Sequence, residues 1–237
     1  MLFFFLLQDW RKNLLGNNNE ISLSEAIYRE IKKRITKGIY PGGTALTEAG
    51  LAEEFNTSKT PVKTAIGRLV TEGWLETGFR KKVYVKKITH KQIDDYYEVR
   101  ELFERQAINK IFDTGVTWKF SFKLEEVLVR MRAHINDYYE FDAVDAVFHR
   151  TLISVFDNER ILKIYSDLTD EFVRLNVLAY KHMSPMDENY FHTVTDQLYQ
   201  FILAVRNNDR EGAIEYMIHQ HLLEGRDVLH DALDAEG

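Results

Sequence analysis

Chemistry in this chain has to come from cations, imidazoles and carboxylates, because it contains no cysteine. That excludes a disulfide framework, Cys-ligated zinc, iron–sulfur clusters and thiol catalysis, and it fits a reducing, cytoplasmic setting. In Ser58-Lys59-Thr60-Pro61-Val62-Lys63-Thr64, two lysines stand four residues apart among small hydroxyl residues. At the N-terminus of a helix such a run can enter a major groove. The lysines reach phosphates or guanine, the threonines allow close approach, and the free amides favour anions. Arg80-Lys81-Lys82, with Lys86 and Lys87 beyond, form a second cationic run. It suits a nucleic-acid backbone or minor groove, or else it is a solvated charged hairpin. Asp145 and His149, also four apart, border the apolar positions Val144, Phe148 and Leu152, so both can turn inward from one helix face. Arg100 falls on the inner side of another helical stripe. There a guanidinium needs a carboxylate or phosphate, from a ligand or from a neighbouring glutamate.

Enzyme signatures are missing. There is no nucleophile elbow, phosphate loop, dinucleotide fingerprint or metalloprotease helix. Glu125-Glu126 and Asp94-Asp95 are sequence neighbours on helices, so their carboxylates do not face each other. A helical metalloenzyme or metal sensor built on Asp145 and His149 stays open as an alternative, as does a structural adaptor.

The elements that must position these residues can be read from periodicity. Ser22 caps a helix running through Ile39, with Leu23, Ala26, Ile27, Ile31 and Ile35 on one face. Thr47 caps a short helix carrying Leu51, Ala52 and Phe55, and Asn56-Thr57 makes a tight connection. Ser58 caps a third helix with the stripe Val62, Ala65, Ile66, Leu69 and Val70, ended by Gly73. The period then becomes two around Trp74–Thr77 and Val83–Val85, which predicts a hairpin. Helix, helix, helix and hairpin make a winged helix-turn-helix over 21–88. Residues 89–92 are expected to be a linker. Helical stripes follow at Ile93–Phe112, Lys119–Tyr139, Asp142–Phe156, Arg160–Lys181, Asn189–Asn207 and Arg210–Leu233. The fold class is therefore mostly α: a winged module, then an all-α bundle over 93–233. His182, His219 and His230 are expected at its surface.

Charge divides along the same line. Residues 21–90 hold 13 Lys/Arg against 7 Asp/Glu, whereas residues 91–237 hold 16 against 28, within a net charge of −6. A basic module on an acidic body suits a nucleic-acid reader with a separate sensing or pairing domain. Residues 1–20 form an apolar N-terminal extension. It is too short for a membrane helix and lacks the charged start and cleavage site of a secretory signal.

These residues carry a resemblance. Ile35–Gly42, Leu46-Thr47-Glu48, Leu51–Phe55, Ser58–Lys63 and Leu69–Gly73 are similar to the signature of GntR-type bacterial transcription regulators. The resemblance implies a homodimer reading a short palindromic double-stranded DNA operator through Thr47, Ser58, Lys59, Thr60, Lys63, Thr64, Arg80, Lys81 and Lys82. The family commonly has arginine where this chain has Lys59 and Lys63, and a glycine near Lys81-Lys82. Lysine keeps the charge but loses the fork that reads guanine.

The helical body resembles the FCD-type ligand-sensing domain of the FadR-like subgroup, through Tyr97–Glu104, Asp145–Leu152 and Asn158. That resemblance implies a small carboxylate-type effector and, in many members, a divalent metal held by one Asp and three His. Asp145 and His149 give half of such a zinc, nickel or manganese site. The remaining family positions fall on Leu198, which cannot ligate, and on Gln220, with His221 one residue beyond. A metal-free pocket with a hydrogen-bonded Asp145–His149 pair is the other reading. Arg100, Asp145, His149, Gln220 and His221 are the expected effector-binding residues. The function implied is a ligand-responsive regulator, expected to be a repressor.

Overall fold

The computed structural model describes residues 21–78, 82–115, 117–182 and 188–236. The chain divides into two compact units between Lys87 and Ile88. The expected N-terminal extension and the wing-tip residues Arg80 and Lys81 lie outside the described residues.

The first unit contains α1 (Leu23–Thr36), β1 (Ala45–Leu46), α2 (Glu48–Glu54), α3 (Lys59–Thr71), β2 (Leu75–Thr77) and β3 (Val83–Val85). Ser22 caps α1 by accepting a bond from the Glu25 amide, and Thr47 caps α2 by accepting from Gly50. α1 stops at Thr36 rather than Ile39, because Lys37 caps it and Gly38 turns left-handed at φ +67°. Asn56 takes φ +47° between α2 and α3, which a short amide side chain tolerates. Ile27, Ile31, Phe55, Val62, Leu69 and Val85 close the core with almost no exposure. Each such side chain contributes about 1.5–3 kcal/mol through burial. The sheet order is β1-β3-β2, antiparallel throughout, with Glu76 opposite Tyr84. A Cβ at Gly78 would meet the Tyr84 ring, which would have to turn aside to admit it. β1 was not anticipated from the sequence.

The second unit is helical: α4 (His90–Thr114), α5 (Thr117–Ala133), α6 (Tyr138–Ile153), a 3-10 turn (Ser154–Phe156), α7 (Glu159–His182), α8 (Glu188–Arg206), α9 (Arg210–Ile214), a π-helical stretch (Glu215–Leu222) and α10 (Leu223–Glu236). Residues 89–92 are not a linker. Thr89 caps α4 by accepting from the Gln92 amide, so 90–92 form its first turn. The last predicted helix, 210–233, is interrupted by the π stretch, which periodicity at 3.6 residues per turn does not anticipate. Asn158 begins α7, its Oδ1 accepting from the Arg160 and Ile161 amides. No described helix is long and apolar enough to cross a membrane.

Candidate nucleic-acid interface and candidate ligand site

In the first unit, burying Val62, Ala65, Ile66 and Leu69 turns the opposite face of α3 outward. Ser58, Lys59, Thr60, Lys63, Thr64, Gly67 and Thr71 are all exposed. Ser58 occupies the cap position but makes no side-chain cap bond, so the first amides of α3 are not spent on it. Thr47 is exposed beside them, with its oxygen accepting from Gly50. Arg68 lies further along α3, bound to Glu72 at 2.8 Å and Glu25 at 2.6 Å, over the Tyr28 ring. It braces α3 to α1. Lys82 is exposed at the start of the returning wing strand. This face offers cations, small hydroxyls and a helix N-terminus together, the equipment for engaging a duplex.

In the second unit a buried polar network crosses four elements. Arg100 and Glu104 on α4 are 3% and 0% exposed, and Arg100 Nε donates to Glu104 Oε1 at 2.9 Å. The same carboxylate accepts from the Tyr165 hydroxyl on α7 at 2.6 Å and meets His149 Nδ1 on α6 at 3.0 Å. His149 Nε2 faces His221 Nε2 at 3.0 Å and lies 3.5 Å from Asp145 Oδ2. The Arg100 guanidinium also stands 5.0 Å from the Phe172 ring centre.

Electrostatics order the protons. Burial opposes ionisation of Glu104, but Arg100 and His149 outweigh it and hold the carboxyl well below the usual range. Burial likewise opposes charge on Asp145, and His149 overrides it. For His149, burial and Arg100 push down while Glu104 and Asp145 push up, and the carboxylates win. Burial and the neighbouring His149 push His221 down to about 3. His149 is thus shifted toward its charged form and His221 toward its neutral one, with Nδ1 of His149 against Glu104 and Nε2 against His221. Within this network, Arg100 Nη2, Asp145 Oδ1 and His221 Nδ1 are buried without a hydrogen-bond partner among the described residues.

Asp145, His149 and His221 place one ligand atom each within 4.8 Å of one another. One carboxylate oxygen and two imidazole nitrogens fit a divalent zinc, nickel or manganese ion. Asp145 Oδ1 is unsatisfied as the side chains stand, and Glu104 already orients His149 from behind, as carboxylates do for ligating histidines. The half-site expected from sequence has therefore gained a third donor. Gln220 is not brought there: its amide turns to Glu215 at 3.3 Å. The π stretch carries an extra residue per turn, which moves the inward position from Gln220 to His221. Leu198 is fully buried among the apolar core residues.

The neighbouring glutamate weighed as a partner for Arg100 is Glu104, four residues on, though the sequence reading did not name it; Tyr165 was missed. His219 is exposed and bound to Glu215, as expected of a surface residue. His230 is half-buried instead, bound to Asp94 at 2.9 Å and to His90. The His182 side chain lies outside the described residues.

A winged helix-turn-helix followed by a polar-cored helical unit defines a class: transcriptional regulators that join a DNA-reading module to a separate helical domain. Residues 23–85 match the bacterial regulatory proteins of the gntR family, and residues 95–223 match the FCD domain. The chain belongs to the GntR family and carries an FCD domain, and this is a family of transcriptional regulators rather than enzymes. It is 28% identical over 220 residues to the gluconate operon transcriptional repressor of Bacillus licheniformis, covering 89% of this chain and 87% of that one. With its Bacillus subtilis namesake it shares 27% over 204 residues, covering 85% and 83%. The solved structure of E. coli McbR/YncC has the same fold, with a TM-score of 0.68 at 18% identity over 89% of this chain and 98% of that one.

Proposed function

We propose that this chain is a cytoplasmic, ligand-responsive transcriptional repressor that binds a double-stranded operator as a homodimer and is controlled by a small organic anion in its helical unit. α3 enters the major groove N-terminus first. Lys59 and Lys63 engage phosphates or guanine, Thr60 and Thr64 permit close approach, and Lys82 with the wing reaches the flanking backbone. Arg100, Asp145, His149 and His221 form the sensing site.

The observation that carries the sensing half is the pair of unsatisfied buried ends of one polar network, Arg100 Nη2 and Asp145 Oδ1. A guanidinium nitrogen invites a carboxylate, and a carboxylate oxygen beside two imidazoles invites a cation. Asp145, His149 and His221 would hold a divalent ion, which when bound supplies a positive anchor for an anionic ligand. The cavity beside Arg100 and His149, walled by Tyr96, Tyr165 and Phe172, has only about 10 Å³ of free space. That suffices for about one water. A metabolite therefore enters only by displacing a wall, and this displacement is the signal. It changes the spacing or mobility of the paired winged units, and so their match to half-sites about one DNA turn apart.

Two relatives repress gluconate operons, so gluconate, a hydroxylated carboxylate, is the first probe. Thermal denaturation with and without gluconate, in the presence of nickel, tests the sensing site. A raised melting temperature in the wild type, lost in Arg100→Lys, is expected, because lysine keeps the charge facing Glu104 but lacks the fork. An unchanged melting temperature with gluconate and related hydroxy acids would exclude this ligand class.

A further inference from the structure

A second recess lies on the outer side of the same helices. It is a cleft of about 590 Å³ between α5, α6 and α7, open to solvent. Its apolar lining comes from Val127, Val147 and Leu162, and two cations, Lys123 and Arg150, stand along its walls with Glu126. Arg150 follows His149 directly, so the helical turn that buries the imidazole sends the guanidinium outward. Lys123 and Arg150 are both exposed, and among the described residues neither has a carboxylate within ion-pair distance. Ser166 adds a hydroxyl, whereas those of Thr151 and Ser154 are spent on backbone carbonyls.

Three features set this cleft apart from the acidic body around it. The local charge is positive within a region where acids outnumber bases. The cations are not neutralised. Apolar surface lies open beneath them, where a soluble helix would ordinarily present polar groups. Charge at the wall and apolar surface at the floor match a ligand with the same division. From these features we infer a second small-molecule site, for an organic anion with an apolar body. Its acidic head pairs with Lys123 and Arg150, and its hydrocarbon or aromatic part lies on Val127, Val147 and Leu162. Tyr165 lines this cleft and also walls the inner cavity, with its hydroxyl on Glu104. The two sites share one side chain, so an occupant of the outer cleft presses on the wall that the inner ligand must displace.

The test uses 1-anilinonaphthalene-8-sulfonate, an aromatic anion whose fluorescence rises in apolar surroundings, with octanoate as competitor and the full chain as target. Saturable binding of one dye per chain is expected, displaced by octanoate. Arg150→Glu should weaken dye binding at least tenfold, and Val147→Trp, which fills the floor, should abolish it. Circular dichroism confirms that each variant is folded, and Lys123→Glu provides a second charge reversal should either fail. Equal dye affinity in wild type and in the folded variants would overturn the proposal, as would absence of saturable binding. The gluconate response of Arg150→Glu should match wild type, so failure of the outer site and failure of the inner one are read separately.

Discussion

Glu104 is the residue on which the helical unit turns. It satisfies Arg100, His149 and Tyr165 at once, with no exposure of its own. Removing one partner of such a buried network leaves the others charged and unpaired, at a cost of about 3–5 kcal/mol. Glu104→Ala should therefore lower the urea midpoint of the helical unit by far more than Glu101→Ala on the same helix, whose partner Arg105 is half exposed. Equal losses would mean that the network is not holding the unit together. Arg100, Asp145 and His149 were legible from the sequence because a polar residue on an apolar stripe is conspicuous. Glu104 was not, because glutamate on a helix usually faces solvent, and only the position of Tyr165, 61 residues away, shows that it does not.

At the scale of elements, the π stretch decides which side chain reaches the site. Counting at 3.6 residues per turn points to Gln220, and one extra residue in the turn delivers His221 instead. No local residue pattern announces such an insertion, so the sequence narrowed the choice without making it. Isothermal titration with nickel should show metal affinity reduced at least tenfold in His221→Ala and unchanged in Gln220→Ala. The reverse pattern would restore a regular helix. The first turn of α4 was missed although its signal was present: Thr89 is followed three residues later by Gln92, whose amide donates to the threonine hydroxyl. In the winged unit, Glu72 ties α3 to α1 through Tyr28 and Arg68. Burial pushes its carboxyl up, but the bonds from Tyr28 and Arg68 outweigh this and hold it below the ordinary value. Its stabilisation is thus complete above about pH 4.3, the free glutamate value, and is lost as acid protonates it in the fold. Melting of the winged unit should become acid-sensitive below that point, and Glu72→Gln should flatten the dependence.

At the scale of the molecule, the order helix, helix, helix, wing, then helices was visible because each periodicity ran long enough to be read. Two-residue β1 was too short to show a period. The charge division between residues 21–90 and 91–237 was plain arithmetic, and its consequence is electrostatic. Attraction to a duplex comes from the winged unit against repulsion from the acidic body, so binding should weaken steeply with salt. Each of Lys59→Ala and Lys63→Ala should reduce the slope of log affinity against log salt by about 1. A slope unchanged in both would move the contact surface away from α3. The central claim, that α3 reads operator DNA, is tested most directly by incubating the purified full chain with fragmented DNA of its own genome and sequencing what it retains. The account predicts a few enriched fragments sharing a two-fold symmetric site, lost in the Lys59→Ala/Lys63→Ala double variant. Retention of no fragment above background, or the same fragments with the double variant, would contradict it.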